Sequence, residues 1–178
     1  GSSMGRDVIE KRPMIIAVCG VKNSGKTTLL VKLVEELTRR KIKTAVIKHD
    51  GHDFISDVPG TDSYRFHQAG AYGTAVFSDR RISVHKEGCG EQEQELIRQF
   101  PEAEVILMEG LKNSSYPKME VIRKEISHDP VSNPAGRFLI VTDWGPEEYA
   151  EPTAGFEEID LILEKMIDMG GKYGTDTF

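Results

Sequence analysis

Cysteine is scarce in this chain of 178 residues: Cys19 and Cys89 are the two present, too few for a disulfide framework. Nowhere do 18 apolar residues run together, so no transmembrane helix is expected, and no basic-then-apolar secretion leader is readable. Positive charge is in deficit as well. Lys and Arg number 23 against 29 Asp and Glu, a net charge of −6, which argues against a general surface for nucleic acid or for anionic membrane. Repeats and low-complexity segments are absent. What remains, 38% apolar and 29% charged residues, suits a globular protein able to bury a proper core. These absences lead us to expect a cytoplasmic protein with reduced thiols. Gly1-Ser2-Ser3 reads as an expression scar in a flexible N-terminus over residues 1–12. Residues 13–169 read as a single domain, and 170–178 as a loose C-terminal tail.

What is present is organised around residues 14–30, MIIAVCGVKNSGKTTLL. The apolar run Met14 to Cys19 predicts a buried strand, with Cys19 packing as a small apolar group. Gly20 to Thr27 then fits G-x-x-x-x-G-K-[ST], and a helical apolar pattern follows. Strand, glycine-bounded loop and helix together make a P-loop. Gly20 and Gly25 reach backbone angles closed to other residues, so consecutive N–H groups of Lys22, Asn23, Ser24 and Gly25 can point at phosphate oxygens. The helix beginning near Lys26 adds its unpaired N–H groups and the positive end of its dipole. Lys26 is expected to reach the β- and γ-phosphates, and the Thr27 hydroxyl to ligate Mg²⁺, with Thr28 completing the loop.

Leu29, Leu30, Leu33, Val34 and Leu37 recur at helical spacing and predict a face packed on a sheet. Arg39, Arg40 and Lys41 are read as complementing that helix's C-terminal dipole. Thr44 to Lys48 reads as a second buried strand, and a strand-helix-strand unit implies a right-handed crossover in a parallel sheet. Thr61 is the expected N-cap of a short helix through Ala69. Thr74 to Ser78 and Ile82 to Lys86 flank Asp79-Arg80-Arg81 as an antiparallel hairpin, and Glu91 to Phe100 reads as a helix. Val105 to Met108 is a third buried strand; residues 119–123 suggest one of mixed character, and Phe138 to Thr142 another. Phe156, Ile159, Ile162, Leu163, Met166 and Ile167 predict a C-terminal amphipathic helix. The fold class is α/β: a P-loop NTPase-like, mixed and mostly parallel sheet flanked by helices, with an antiparallel hairpin.

Phosphate and Mg²⁺ call for acids at neighbouring strand ends. Glu109, after the strand at Val105, is one: a metal partner, or a carboxylate that merely caps a loop. Asp50, after the second strand, either faces the γ-phosphate and its attacking water or starts an Asx turn. The segment from His49 to Ala71 carries four Asp and three His. His49, His52 and His67 with Asp50, Asp53 and Asp57 could hold a transition metal, or the segment is a polar loop that orders when Mg-nucleotide is present. Lys112, Lys118, Arg123 and Lys124 could contact a phosphorylated ligand or an acidic partner, or form a solvated face. Asp143, after the last strand, could accept from N1–H and N2–H of guanine, or simply start the turn Asp143-Trp144-Gly145.

Taken in order, GVKNSGKTTL, KHDGHDFISDVPGTDSYRFHQAGA, LMEGLK and PKMEVIR resemble the MobB family of molybdopterin-guanine dinucleotide biosynthesis proteins. The resemblance runs from Met14 to about Asp143. It matches Gly20 to Thr28 to the nucleotide loop. His49, Asp50, Asp57, Pro59, Gly60, Asp62, Ser63, Arg65 and Gly70 match the family's acidic block, and Glu109, Gly110 and Lys112 its strand-end motif. It implies a GTP-binding protein of weak GTPase activity, typically a homodimer. Such a protein assists the MobA-type guanylyltransferase that attaches GMP to molybdopterin. Guanine preference rests on this resemblance, since no Asn-Lys-x-Asp or Thr-Lys-x-Asp string occurs. Lys22 falls one position from the extra lysine of the related deviant-Walker ATPases, so it is read as part of the loop without a role across a dimer.

Two other readings of the P-loop stand beside this one. A small-metabolite kinase would need an acceptor pocket and an arginine-bearing lid, for which Arg80-Arg81 would have to serve. A pure interaction protein would hold nucleotide without turning it over. No arginine finger or catalytic Gln is readable, so hydrolysis is expected to be slow; Arg65 is the in-chain candidate.

Overall fold

The first strand, β1 (Met14–Cys19), is apolar throughout and almost wholly buried, as a strand covered on both faces must be. Around it the computed structural model describes residues 12–51 and 61–172. The residues assigned to the scar and most of the N-terminus lie outside them, as do His52, Asp53, Asp57, Pro59 and Gly60 of the acidic block. The described residues fall into two compact units, one formed by the insertion Asp50–Arg98 and one by the chain on either side of it.

The larger unit is a six-stranded sheet. With β2 (Thr44–Lys48), β5 (Val105–Glu109), β6 (Lys118–Ile122), β7 (Arg137–Thr142) and β8 (Thr153–Ala154), the order is β2-β5-β1-β6-β7-β8. Every neighbouring pair is parallel. All strand C-termini therefore meet at one edge, where open α/β sheets bind ligands. On one face, α1 (Lys26–Arg39) lays Leu29, Leu30, Leu33 and Leu37 on the sheet. Beside it the C-terminal helix α4 (Ile159–Lys172) buries Ile162, Leu163 and Met166. Arg40 bonds Asp160 at 3.1 Å across the two helices.

Four details differ from the sequence reading. β2 is an edge strand that buries Ile47 and leaves Val46 exposed, because one of its sides has no neighbouring strand among the described residues. Arg39 and Arg40 both bond Glu36 and hold its carboxyl down at about 2, so they act as side-chain partners and not only as dipole complements. The strand of mixed character, β6, is buried along its whole length and takes Lys118 and Glu120 inside with it. Helix α4 begins at Ile159, leaving Phe156 in the preceding turn, and continues to Lys172.

The insertion unit holds α2 (Asp62–Gln68), the hairpin β3 (Gly73–Phe77) and β4 (Ile82–Lys86), and α3 (Gln92–Arg98). Thr61 caps α2 as expected, its hydroxyl accepting from the Tyr64 N–H at 3.3 Å. The hairpin is a separate two-stranded sheet and not part of the main one.

Candidate nucleotide site

The loop between β1 and α1 bends through three left-handed residues: Gly20 at φ 148°, Asn23 at 64° and Gly25 at 100°. At Gly20 glycine is required for steric reasons too, whereas at Gly25 an added Cβ would displace the Arg123 guanidinium. A Cβ on Gly20 would lie 2.7 Å from the Val121 carbonyl oxygen, and one on Gly25 2.8 Å from an Arg123 guanidinium nitrogen. Gly25 is the N-cap of α1 and offers no side chain, and no acid stands in the helix's first turn. The unpaired N–H groups of that turn are thus left for an anionic ligand. The Lys26 ammonium folds back to donate to the Gly20 carbonyl at 2.6 Å, closing the loop into a ring. Inside that ring the buried Ser24 hydroxyl has no hydrogen-bond partner among the described residues.

On one flank stands Glu109. Parallel register sets it opposite Val18, and the Gly110 N–H donates to the Val18 carbonyl at 2.9 Å. From the other side the His49 N–H donates to the Glu109 carbonyl at 2.9 Å. The carboxylate so fixed lies 3.5 Å from the Thr27 hydroxyl. A hydroxyl and a carboxylate side by side, next to an anion cradle, are the hard oxygen donors that Mg²⁺ takes. Cys19, at the end of β1, donates its thiol proton to the Gly110 carbonyl at 3.1 Å, and burial pushes its pKa up to about 11, so it stays neutral.

The opposite flank carries Arg123, directly after β6. Its guanidinium lies 4.2 Å above the centre of the Phe156 ring and against Gly25. The other three basic residues of the sequence reading go elsewhere. Lys118 turns inward to donate to the carbonyls of Asn133 and Ala135, so it meets neither ligand nor solvent. Lys124 lies 5.0 Å over the Trp144 ring, and Lys112 is exposed. Asp143 accepts from the Lys124 N–H at 2.6 Å, tying the end of β7 to that of β6.

The structure thus brings together Gly20, Ser24, Gly25, Lys26, Thr27 and Glu109, with Lys22, Asn23 and Thr28 exposed around them. Asp50 is the first residue of the insertion unit, and Arg65 an exposed residue of its helix α2. Among the described residues no three His, Cys, Asp or Glu side chains gather as a metal cluster. Sequence reasoning passed over Phe156 as a helix residue and Glu157 altogether. Their signal, a glycine following a strand, was hidden because β8 is two residues long.

Residues 15–143 match the sequence model of the family described as MobB, molybdopterin guanine dinucleotide synthesis protein B. The chain belongs to this family. The molybdopterin-guanine dinucleotide biosynthesis adapter protein of Escherichia coli is 37% identical over 65% of this chain and 69% of its own length. Its namesake in Haemophilus influenzae is 34% identical over 64% of this chain and 65% of its own length. This chain spans about two thirds of those curated relatives. Among solved structures, Bacillus subtilis MobB superposes with a TM-score of 0.67 at 25% identity, covering 85% of this chain and 96% of that one. A MobB homologue from Bacillus stearothermophilus gives 0.65 at 22% identity, over 86% and 98%, which bears on the fold alone. A MobB-family chain with a P-loop is the framework into which Glu109 and Arg123 fall.

Proposed function

We propose that this protein is a Mg-GTP-binding adapter that assists attachment of a guanine nucleotide to molybdopterin. In this reading it hydrolyses GTP slowly and acts as a homodimer beside a MobA-type guanylyltransferase in the cytoplasm. The observation that carries the nucleotide reading is the closed cradle with the Thr27–Glu109 pair at its rim. The donors suit the group: N–H donors and a lysine for phosphate, two hard oxygens for Mg²⁺. The names of the curated relatives support the pathway.

Thr27 and Glu109 would hold Mg²⁺, which when bound would supply positive charge against the phosphate oxygens. The protein's own contribution is positional. Lys26, already held over the loop by Gly20, places an ammonium where charge builds on the transferring phosphoryl group. The N-terminus of α1 would fix the anionic tail beside the Thr27–Glu109 pair. Asp50 is assigned to the attacking water and Arg65 to transition-state charge. The apolar residues that the hairpin exposes, Val76, Phe77, Ile82 and Val84, support contact with a second copy.

Lys26→Ala decides the first step. Calorimetric titration should show GTP binding with Mg²⁺ to the wild type and at least about a hundredfold weaker binding to the variant, as loss of charge-assisted bonds to phosphate requires. Equal affinity would overturn the assignment.

A further inference from the structure

The two flanks of the cradle differ in kind, and the difference gives the bound nucleotide a direction. The flank toward β5 offers oxygen donors, Thr27 and Glu109. The flank toward β6, β7 and β8 opens instead into a cavity of about 180 Å³ lined by Gly25, Thr28, Lys32, Arg123, Phe156 and Glu157, among others. That volume is several times the roughly 30 Å³ share of one water, yet below the roughly 300 Å³ of sites for whole drug-sized ligands. It suits one planar ring system. Gly25 and Thr28 belong to the phosphate cradle itself, so whatever fills the cavity is continuous with the phosphate tail. A γ-phosphate held beside Thr27 and Glu109 would leave the nucleoside to run out on this side.

The walls are chemically suited to a base. Arg123 presents a guanidinium plane, and Phe156 backs it at 4.2 Å; planar cations and aromatic rings both stack on bases. At the mouth, the Lys32 ammonium bonds the Glu157 carboxylate at 2.8 Å. The turn that carries Phe156 and Glu157 is fixed. The Gly155 N–H donates to the Glu158 carboxylate at 2.8 Å, and the Glu158 N–H returns to the Gly155 carbonyl at 3.1 Å. Glu157 is 85% exposed on its side chain, so it can turn to a ligand at little cost.

We infer that this cavity receives the purine base of the nucleotide, that the Arg123 plane stacks on it, and that Glu157 selects guanine. The inference rests on the nucleotide reading above and specifies its other end. A carboxylate accepts from N1–H and the exocyclic amine of guanine together, whereas adenine offers it one amine beside a bare ring nitrogen that repels it. Glu157 takes the part that the sequence reading offered to Asp143, which does not line the cavity.

Calorimetry of GTP, ATP and xanthosine triphosphate, each with Mg²⁺, against wild type, Glu157→Gln, Arg123→Ala and Lys26→Ala tests it. Wild type should prefer GTP. Glu157→Gln should weaken GTP about tenfold or more, leave ATP within about twofold, and improve xanthosine triphosphate, whose 2-oxo group accepts from the new amide. Arg123→Ala should weaken GTP and ATP alike, by about fivefold or more, because stacking is indifferent to the base. Tight GTP binding with an unchanged GTP-to-ATP ratio in Glu157→Gln overturns the inference and leaves the phosphate cradle standing. Nucleotide affinities equal in wild type and Lys26→Ala overturn the nucleotide reading and the inference with it.

Discussion

Strand β6 hides two charges, while the hairpin of the insertion shows its apolar side chains. Lys118 and Glu120 are 0% and 1% exposed; Phe77 and Ile82 are 83% and 75% exposed. Both arrangements invert what hydrophobicity alone would assign, and for different reasons. β6 lies between β1 and β7 and is covered by the chain returning to β7, so anything on it is buried and must be satisfied there. Glu120 accepts from the Val131 N–H at 2.7 Å, the Ser132 N–H at 2.9 Å and the Ser132 hydroxyl at 2.6 Å. Lys118 serves the carbonyls of Asn133 and Ala135 on the same returning segment. The buried charges therefore shape the loop that follows β6. The hairpin is two strands with no third among the described residues to cover it, so its apolar residues stand exposed.

The sharpest way to break this contrast is Glu120→Ala. Removing the carboxylate leaves the buried Ser132 N–H and hydroxyl without their acceptor, and the half-buried Val131 N–H bond is lost as well. The expected loss is about 3–5 kcal/mol, the range for breaking a buried charged network. For a chain of this size the melting temperature should fall by about 6–20 °C in thermal denaturation. Glu120→Gln keeps one acceptor and should lose clearly less. An alanine variant that melts with the wild type would mean that the charges of β6 are passengers.

The same contrast explains what could be read from the sequence. The cradle was legible because its geometry depends on local residues: Gly20 and Gly25 at positive φ, Lys26 and Thr27 on the first turn of α1. Glu109 was legible because a buried run ending in an acid places that acid at the sheet edge. Lys118 was not, since its alternation with Met119 resembles a half-exposed strand until β7 closes over it. β2 reads as buried because TAVIK is apolar at its centre, yet edge position is a property of strand order, which no local pattern encodes. Arg123 was legible as a cation near the site but not as the wall of a cavity, because Phe156, its partner, comes from a turn set by a two-residue strand.

A smaller effect is expected from the exposed side of the comparison. Phe77→Ser with Ile82→Ser should change the melting temperature of a dilute sample by no more than about 2–4 °C, since each surface substitution stays within about 0.5 kcal/mol. If the hairpin joins two copies, sedimentation at micromolar concentration should move from dimer toward monomer, while GTP affinity holds. A variant that remains fully dimeric would place the interface elsewhere.

The smallest expected effect concerns a charge at the rim of the segment whose interior holds Glu120. His128 Nδ1 lies 2.8 Å from Asp129 and its Nε2 3.1 Å from Glu148, with the ring edge toward Trp144 and stacked near Tyr149. Hydrogen bonds to Asp129 and then Glu148 raise its pKa above the ordinary 6.5. A raised histidine pKa means that the folded state holds the proton more tightly than the unfolded chain. The stabilisation is fully present below about pH 6.5 and is lost as pH rises through the folded value. The wild-type melting temperature, less that of His128→Gln, should therefore be larger at pH 6 than at pH 9. Both carboxylates are solvated, so the difference should be a degree or two and should shrink in high salt. A gap that is flat with pH would show that rim charges here contribute nothing beyond packing on Trp144 and Tyr149. A gap that is large and insensitive to salt would mean that the rim behaves like the interior, erasing the distinction drawn from β6.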